Sequence, residues 1–355
     1  MNSIKKNIIR AIFFFILLLT ISLKDVNAQN RLLDSVISTI KNKSVYKNRI
    51  NWDKTIPLLN SFIDKDIKDS VLAILPSIQK LYTLLGDKHG YVQYKGQTYH
   101  GNFVTTKNTK SLNYLKEKYT DENIAFRTKL LKNNIGYISI PAMQIDASDP
   151  NIFKDTSLLF QSISNRAKII QDSLLALLSN HLEGLIVDLR LIPGGTMFII
   201  LEGLAPILGD GIFMYNRNSK GNYTTYKKKN NNLYEDSIRM AYTSNPSTKI
   251  PKLKIVILIS SITASAGEQT AISFKGKKDV VFIGDSTAGF TTMNGVKNNW
   301  YKDFIFTYVD ATTLDRHKNT YDDKVIPDIL VRGGDNFEDL NRDKKIIAAL
   351  QWLKK

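Results

Sequence analysis

Ser265, in Thr263-Ala264-Ser265-Ala266-Gly267-Glu268, stands where this 355-residue chain could most readily build nucleophilic chemistry. It follows Ile255–Ile259, a β-branched apolar run with the pattern of a fully buried strand, and precedes a helix-like segment reaching Phe274. A serine on a tight strand-to-helix turn holds its hydroxyl clear of the sheet, beside the unpaired N–H groups of the helix start. Those donors suit a developing oxyanion, which makes Ser265 a candidate acyl-transfer nucleophile. The same residues also suit a plain Ser/Thr-rich N-cap with small side chains for packing. A second feature is Gly194-Gly195, in Arg190-Leu191-Ile192-Pro193-Gly194-Gly195-Thr196. The glycine pair permits positive φ and exposes N–H groups at a helix start, as an oxyanion or carboxylate site or as a simple tight turn. His89, one of four histidines with His100, His181 and His317, lies between Asp87 and Gly90 at a helix-to-strand corner. There it reads either as a general base oriented by a carboxylate or as a surface-loop histidine.

Hydrophobic periodicity supplies the elements that must position these residues. Residues 30–85 carry three apolar helical faces: Leu32, Leu33, Val36 and Ile40, then Ile56, Leu58, Leu59 and Phe62, then a third from Val71 to Leu85. Short polar breaks between them predict a small N-terminal helical bundle, after which Tyr91–Tyr94 alternates like a strand. Residues 95–130 are polar, with a strand over 99–105 and a helix over 112–118. From Asn134 the pattern is α/β: a strand over 135–140, a long helix over 155–179, a strand over 185–189 and a helix over 197–208. Residues 215–250, rich in Asn, Lys and Tyr, read as an irregular polar insertion or a hairpin. A second buried strand over 280–283 ends at Gly284. Residues 300–309 then alternate like strands, 315–319 form a turn, and a final helix spans 339–352. There is no internal repeat and no His/Asp/Glu cluster with metal-ligand spacing.

The apolar and aromatic content is that of a globular protein. The formal charge is +16. Residues 1–28 hold four Lys/Arg and one Asp, a net +3, which leaves +13 to the remainder. The lysines are scattered, Lys227–Lys229 being the densest run, and no nucleic-acid-binding motif is visible. The charge therefore reads as a solvated lysine-rich surface, with no nucleic acid as partner. Lys5, Lys6 and Arg10 precede an apolar block over 11–23, and Val26-Asn27-Ala28 offers small residues for cleavage after Ala28. This is the pattern of a secretory signal peptide, too short for a stable membrane span. The chain is expected to be exported, to the periplasm or beyond, with no stable span after cleavage. It contains no cysteine, so no lipoprotein anchor, disulfide, thiol nucleophile or thiolate metal site is expected.

Taken together, GYISI (136–140), GLIVDLRLIPGG (184–195), ISSITASAGE (259–268), FIGDSTAG (282–289) and DR…Y…IPDI (315–329) resemble one family in order and spacing. It is the carboxy-terminal processing peptidase superfamily, which includes the tricorn protease core and the retinoid-binding repeats. The resemblance covers roughly residues 81–330. It implies an α/β (α+β) fold with a crotonase/Clp-protease-like ββα catalytic core behind the N-terminal helical bundle. The implied division is a signal peptide (1–28), a helical segment (29–90), a connecting segment without a clear PDZ domain (91–133) and a catalytic core (134–355).

Carried over residue by residue, Ser265 matches the nucleophile, and the backbone N–H groups of Ala266 and of Gly194 or Gly195 match the oxyanion hole. Glu268 matches an acidic position read here as support for the helix start. One branch of the family activates its serine with a lysine, but Phe290 holds that position and the next lysine is Lys297. The resemblance therefore implies the other branch, with a histidine from the N-terminal part and a downstream acid. Asp87-Lys88-His89-Gly90 matches its D-x-H-S/T corner, and the acid falls at Asp322, with Asp323 beside it. This chain departs from the pattern at three places. Gly90 replaces Ser/Thr, Lys88 stands at an auxiliary serine, and Leu191-Ile192 replace asparagines that would brace the oxyanion turn. The implied activity is that of an exported serine endopeptidase or carboxy-terminal processing-type peptidase, working through an acyl-enzyme on Ser265. Its substrates would be peptides or partly unfolded proteins, it would need no metal or cofactor, and it could be an oligomer. Two other readings stay open: a non-catalytic peptide- or lipophile-binding protein on the same fold, and an α/β-hydrolase esterase. The latter uses Asp285 and His317 in that fold's order and requires His317 beside Ser265.

Overall fold

The computed structural model describes residues 29–103, 110–121, 124, 126–149, 151–230, 232–242, 252–298 and 300–355. The expected signal peptide lies outside them, as do residues 104 and 105 of the expected strand and the end of the expected 215–250 insertion. The chain forms two compact units. One is drawn from the chain up to Thr105 and from Asn294–Ala311, the other from Thr106–Met293 and Thr312–Lys355. Among the described residues no helix is long and apolar enough to cross a membrane.

The first unit opens with α1 (29–43), α2 (Trp52–Ser61) and α3 (Ser70–Leu85), the three helices that periodicity predicts. Asn51 caps α2 by accepting the Lys54 N–H, and Asp69 caps α3 by accepting those of Val71 and Leu72. Gly86, at φ 67°, ends α3 in the left-handed conformation. The helices bury Leu33, Val36, Ile40, Leu59, Ile74, Ile78 and Leu81 in one core. Leu58, Phe62 and Leu84 fall at the flanks of the apolar stripes and remain exposed. Next come β1 (Tyr91–Tyr94) and β2 (Gln97–His100), a hairpin pairing Tyr94 with Gln97. The expected strand over 99–105 thus begins earlier, because Lys95 (φ 50°) and Gly96 (φ 77°) close a two-residue turn with positive φ at both positions.

The second unit begins with α4 (Lys110–Lys118), β3 (Arg127–Leu131), β4 (Ile135–Ser139), α5 (Thr156–Leu178) and β5 (Gly184–Asp188). The helix expected over 197–208 is broken into α6 (Met197–Gly203) and α7 (Ala205–Leu208). Pro206 causes the break, since it cannot donate to the Glu202 carbonyl one turn back. The stretch expected to be an irregular polar insertion or a hairpin goes beyond the hairpin to a four-stranded meander: β6 (Gly211–Asn218), β7 (Tyr223–Lys229), β8 (Asn232–Glu235) and β9 (Ile238–Tyr242). Then follow β10 (Ile255–Ile259), α8 (Ala266–Phe274), β11 (Val280–Gly284), β12 (Met293–Lys297) and β13 (Phe304–Asp315). Most of β12 and the first part of β13 belong to the first unit, where Phe306 of β13 pairs with Val92. The chain ends with β14 (Thr320–Tyr321), β15 (Ile329–Leu330) and α9 (Lys344–Leu353). The final helix starts later than the expected residue 339, because Asp343 is its cap and accepts the N–H groups of Lys345 and Ile346.

One sheet organises this unit, in the order β15-β11-β10-β5-β4-β3, parallel throughout except for β3. Alternate residues fill two cores. Ile138, Leu185, Val187, Ile255 and Ile257 meet α5, α6 and α8 on one face. Tyr137, Ile186, Val256, Leu258 and Ile283 meet Ile346, Ala349 and Leu353 of α9 on the other. Burial on both faces is why these strands read as unbroken apolar runs.

Candidate active site

β5 and β10 are parallel neighbours with Asp188 opposite Leu258, so the turn after one and the loop after the other meet at the carboxyl edge of the sheet. The two segments are sewn together. Ser260 Oγ donates to the Arg190 carbonyl (2.6 Å), Thr263 Oγ1 to that of Leu189 (2.9 Å), and the Ala264 N–H to that of Ile192 (2.9 Å). These bonds brace the turn where Leu191-Ile192 lack an amide side chain to do so. The approach is close enough to dictate glycines. A Cβ on Gly267 would lie 2.7 Å from the Ile192 carbonyl oxygen. Gly195, at φ 123°, has the Met143 carbonyl oxygen 2.5 Å from where its Cβ would be. A Cβ on Gly194 would sit 3.9 Å from Ser265 Cβ, so Gly194, Gly195, Ser265 and Ala266 share one site.

Ser265 is the N-cap of α8 and is held at φ 49°, ψ −111°, a conformation that side-chain-bearing residues rarely adopt. Ala266, the first residue of the helix, contributes one of the N–H groups that have no partner within it. Glu268 fixes the arrangement from below. Its carboxyl group accepts the N–H groups of Ser265 (3.1 Å), Gly289 (2.9 Å) and Phe290 (2.6 Å) and the hydroxyl of Thr287. The reading of Glu268 as helix-start support therefore extends further: it ties the loop after β11 to the Ser265 turn. Burial pushes this carboxyl up to about 7, against four donors that favour the anion. A folded-state value above the unfolded one means that the native protein holds this proton more tightly. Stability is then greatest below about pH 4.5 and falls as pH rises to about 7, by about 3 kcal/mol in this group's contribution. Urea denaturation across that window is expected to show a steeper fall in the wild type than in Glu268→Gln, which keeps only the contributions of other raised carboxyls such as Asp87.

The turn also rests on a buried ionic cluster that sequence reasoning missed. Arg190, wholly buried, donates to both Asp188 oxygens, to Asp335 Oδ1 (2.8 Å) and to Asp343 Oδ2 (2.7 Å). Lys345 Nζ reaches Asp335 Oδ1 at 2.6 Å, and the Tyr137 hydroxyl donates to Asp188 Oδ2 at 2.8 Å. Burial alone would raise the Asp335 carboxyl, but the Arg190 and Lys345 charges outweigh it and hold it below the usual range. A charged pair at the end of a buried strand, Asp188-Leu189-Arg190, is the sequence signal that could have revealed the cluster.

His89 belongs to the first unit and is half-buried on the corner after α3. Asp87 shapes that corner through the backbone: Oδ1 accepts the N–H groups of His89 (3.1 Å) and Gly90 (2.6 Å), and Oδ2 accepts that of Val309 (3.1 Å). Asn294 Nδ2 donates to the His89 carbonyl at 2.9 Å. Burial raises the Asp87 carboxyl despite these three donors. Asp87→Ala would strand three N–H groups at about 1–3 kcal/mol each, so a loss of at least ~3 kcal/mol is expected in chemical denaturation. Asp322 and Asp323 are exposed residues of the second unit, between β14 and the buried Val325. The Asp323 carbonyl accepts the Thr291 hydroxyl (2.8 Å), which places this segment against the loop that holds Glu268. His317 lies elsewhere. Its Nε2 is 3.0 Å from the Gly276 carbonyl, beyond the far end of α8, roughly 13 Å of helix away from Ser265. That placement removes the esterase arrangement, which requires His317 beside Ser265.

The sequence profile of peptidase family S41 matches residues 134–331. A nisin-resistance protein of Lactococcus lactis subsp. lactis is 28% identical over 176 residues, 49% of this chain; the chain spans about half (51%) of that relative's length. A lipoprotein structure from Streptococcus agalactiae superposes with a TM-score of 0.64 at 22% identity, over 92% of this chain and 96% of that one. The photosystem II D1 C-terminal processing protease gives a TM-score of 0.52 at 13% identity, over 89% and 96%. At these identities the two structures show the fold alone.

Proposed function

The chain belongs to peptidase family S41, and from that premise we propose that it is an exported serine peptidase hydrolysing peptides or partly unfolded proteins through an acyl-enzyme on Ser265. The observation that carries the proposal is the backbone of Ser265. A non-glycine residue is held at φ 49° at the start of a helix, beside a glycine-lined turn. Strain of that kind, about 1–3 kcal/mol, persists where the surrounding structure enforces it, and here Glu268 and the Ile192 carbonyl do so.

In this mechanism His89 accepts the Ser265 proton as the hydroxyl attacks the scissile carbonyl, and Asp322, or its neighbour Asp323, orients the imidazole. The N–H groups of Ala266 and of Gly194 or Gly195 hold the oxyanion. His89 then gives the proton to the leaving amine, and water, deprotonated by the same imidazole, releases the acyl group. No step calls for a metal or cofactor. The test is turnover of an unfolded protein substrate by wild type and His89→Ala. A fall in kcat of roughly 10⁴-fold or more with KM little changed is expected. Undiminished turnover in His89→Ala would remove the histidine from the mechanism. A folded protein that binds such a substrate without cleaving it would instead establish the binding-protein reading.

A further inference from the structure

The meander β6–β9 has an outer face that peptide hydrolysis leaves unused. Its registers set Ile212 opposite Lys227, Lys227 opposite Tyr234 and Tyr234 opposite Arg239, one row crossing four strands. Flanking rows set Arg217 opposite Tyr223 and Lys229 opposite Asn232. The alternate residues Met214, Tyr226, Leu233 and Ala241 are buried in the core, so these rows face away from it. With Tyr215, opposite Thr225, the outer rows thus present Arg217, Lys227, Lys229 and Arg239 with three tyrosines, Tyr215, Tyr223 and Tyr234, and none of the residues paired in these rows is a carboxylate. Lys228, which faces inward, is buried and paired with Asp210 at 2.6 Å. Asp236, at the margin in the β8–β9 turn, has Oδ1 engaged by the Thr225 N–H and hydroxyl.

The turn after β13 adds a fifth cation. Lys318 Nζ lies 5.2 Å and 4.9 Å from the ring centroids of Tyr215 and Tyr223, and Lys227 Nζ lies 5.9 Å from that of Tyr234. Basic side chains with interleaved tyrosines suit the boundary of an anionic bilayer. The charges attract the headgroups, and the amphipathic rings sit among them. A single-stranded nucleic acid would need those rings for base stacking, and the chain's own cations already lie against them.

We propose that this face docks the protein on anionic phospholipid membranes. Each basic side chain at such a surface multiplies partitioning about fivefold, so neutralising three should reduce it about a hundredfold. The test is co-sedimentation of the purified protein with phosphatidylcholine vesicles, with and without phosphatidylglycerol, at low and high salt. The comparison is with Lys227→Gln/Lys229→Gln/Arg239→Gln and with a control triple in the first unit, Lys54→Gln/Lys65→Gln/Lys68→Gln. Thermal unfolding of each protein verifies that the variants are folded. The expected result is salt-sensitive binding to the anionic vesicles, lost in the first triple and kept in the control. Equal binding to neutral vesicles, an equal loss in both triples, or tighter face-dependent binding to a single-stranded oligonucleotide would overturn the proposal.

Discussion

Arg190→Ala is expected to cost about 3–5 kcal/mol of stability, read as a lowered urea midpoint. The guanidinium is wholly buried and is the direct partner of three carboxylates, those of Asp188, Asp335 and Asp343. Among the described residues, its removal leaves these carboxylates the Lys345 ammonium, 2.6 Å from Asp335, as their remaining ion-pair partner. Desolvated like charges then repel without compensation, a much larger penalty than the loss of any exposed ion pair on this chain. The cluster also joins distant parts of the unit. Asp343 caps α9 and accepts the Asn336 N–H (2.9 Å), while Phe337 lays its ring 4.4 Å from the guanidinium carbon. Arg190→Lys should fall between wild type and alanine, because one ammonium cannot span three acceptors as a planar fork does. Because Arg190 opens the turn that contains Gly194, residual activity in either variant should fall along with stability.

Ser265→Ala should abolish turnover, by roughly 10⁴–10⁶-fold, at a stability cost of about 1 kcal/mol for the lost capping hydroxyl, because the alanine Cβ meets the same backbone strain as the serine. Ser265→Gly should be equally inactive and yet more stable, by about 1 kcal/mol, because glycine occupies φ 49° without a Cβ penalty. An inactive variant that gains stability would mark this serine as held in place for chemistry and not for packing. Turnover that survives in either variant would show that hydrolysis does not run through Ser265.

Much of this was legible in the sequence because the physics is local. Continuous Ile/Val runs announce strands buried on both faces, and a serine among small residues after such a run marks the turn into α8. The helices of the first unit follow from a 3.6-residue period. Where sequence reasoning failed, the deciding interaction was distant or lay in turn chemistry that passed unread. Arg190 finds Asp335 and Asp343 across roughly 150 residues of chain, a pairing no local pattern reveals. The Lys95-Gly96 turn and the Asp343 cap were readable signals; overlooking them displaced a strand and a helix start. Over 215–250 the sequence leaves an irregular insertion and a hairpin both open, because the outward rows carry Lys, Arg and Tyr and obscure the alternation of Met214, Tyr226, Leu233 and Ala241.

The most direct measurement is fluorophosphonate labelling of the folded protein, with mass spectrometry to locate the adduct, in wild type and His89→Ala. An activated serine predicts one adduct on Ser265 in the wild type and none, or far slower labelling, once His89 is gone. Folded protein that takes no label, or takes it at another residue, would contradict the assignment of Ser265 as the nucleophile.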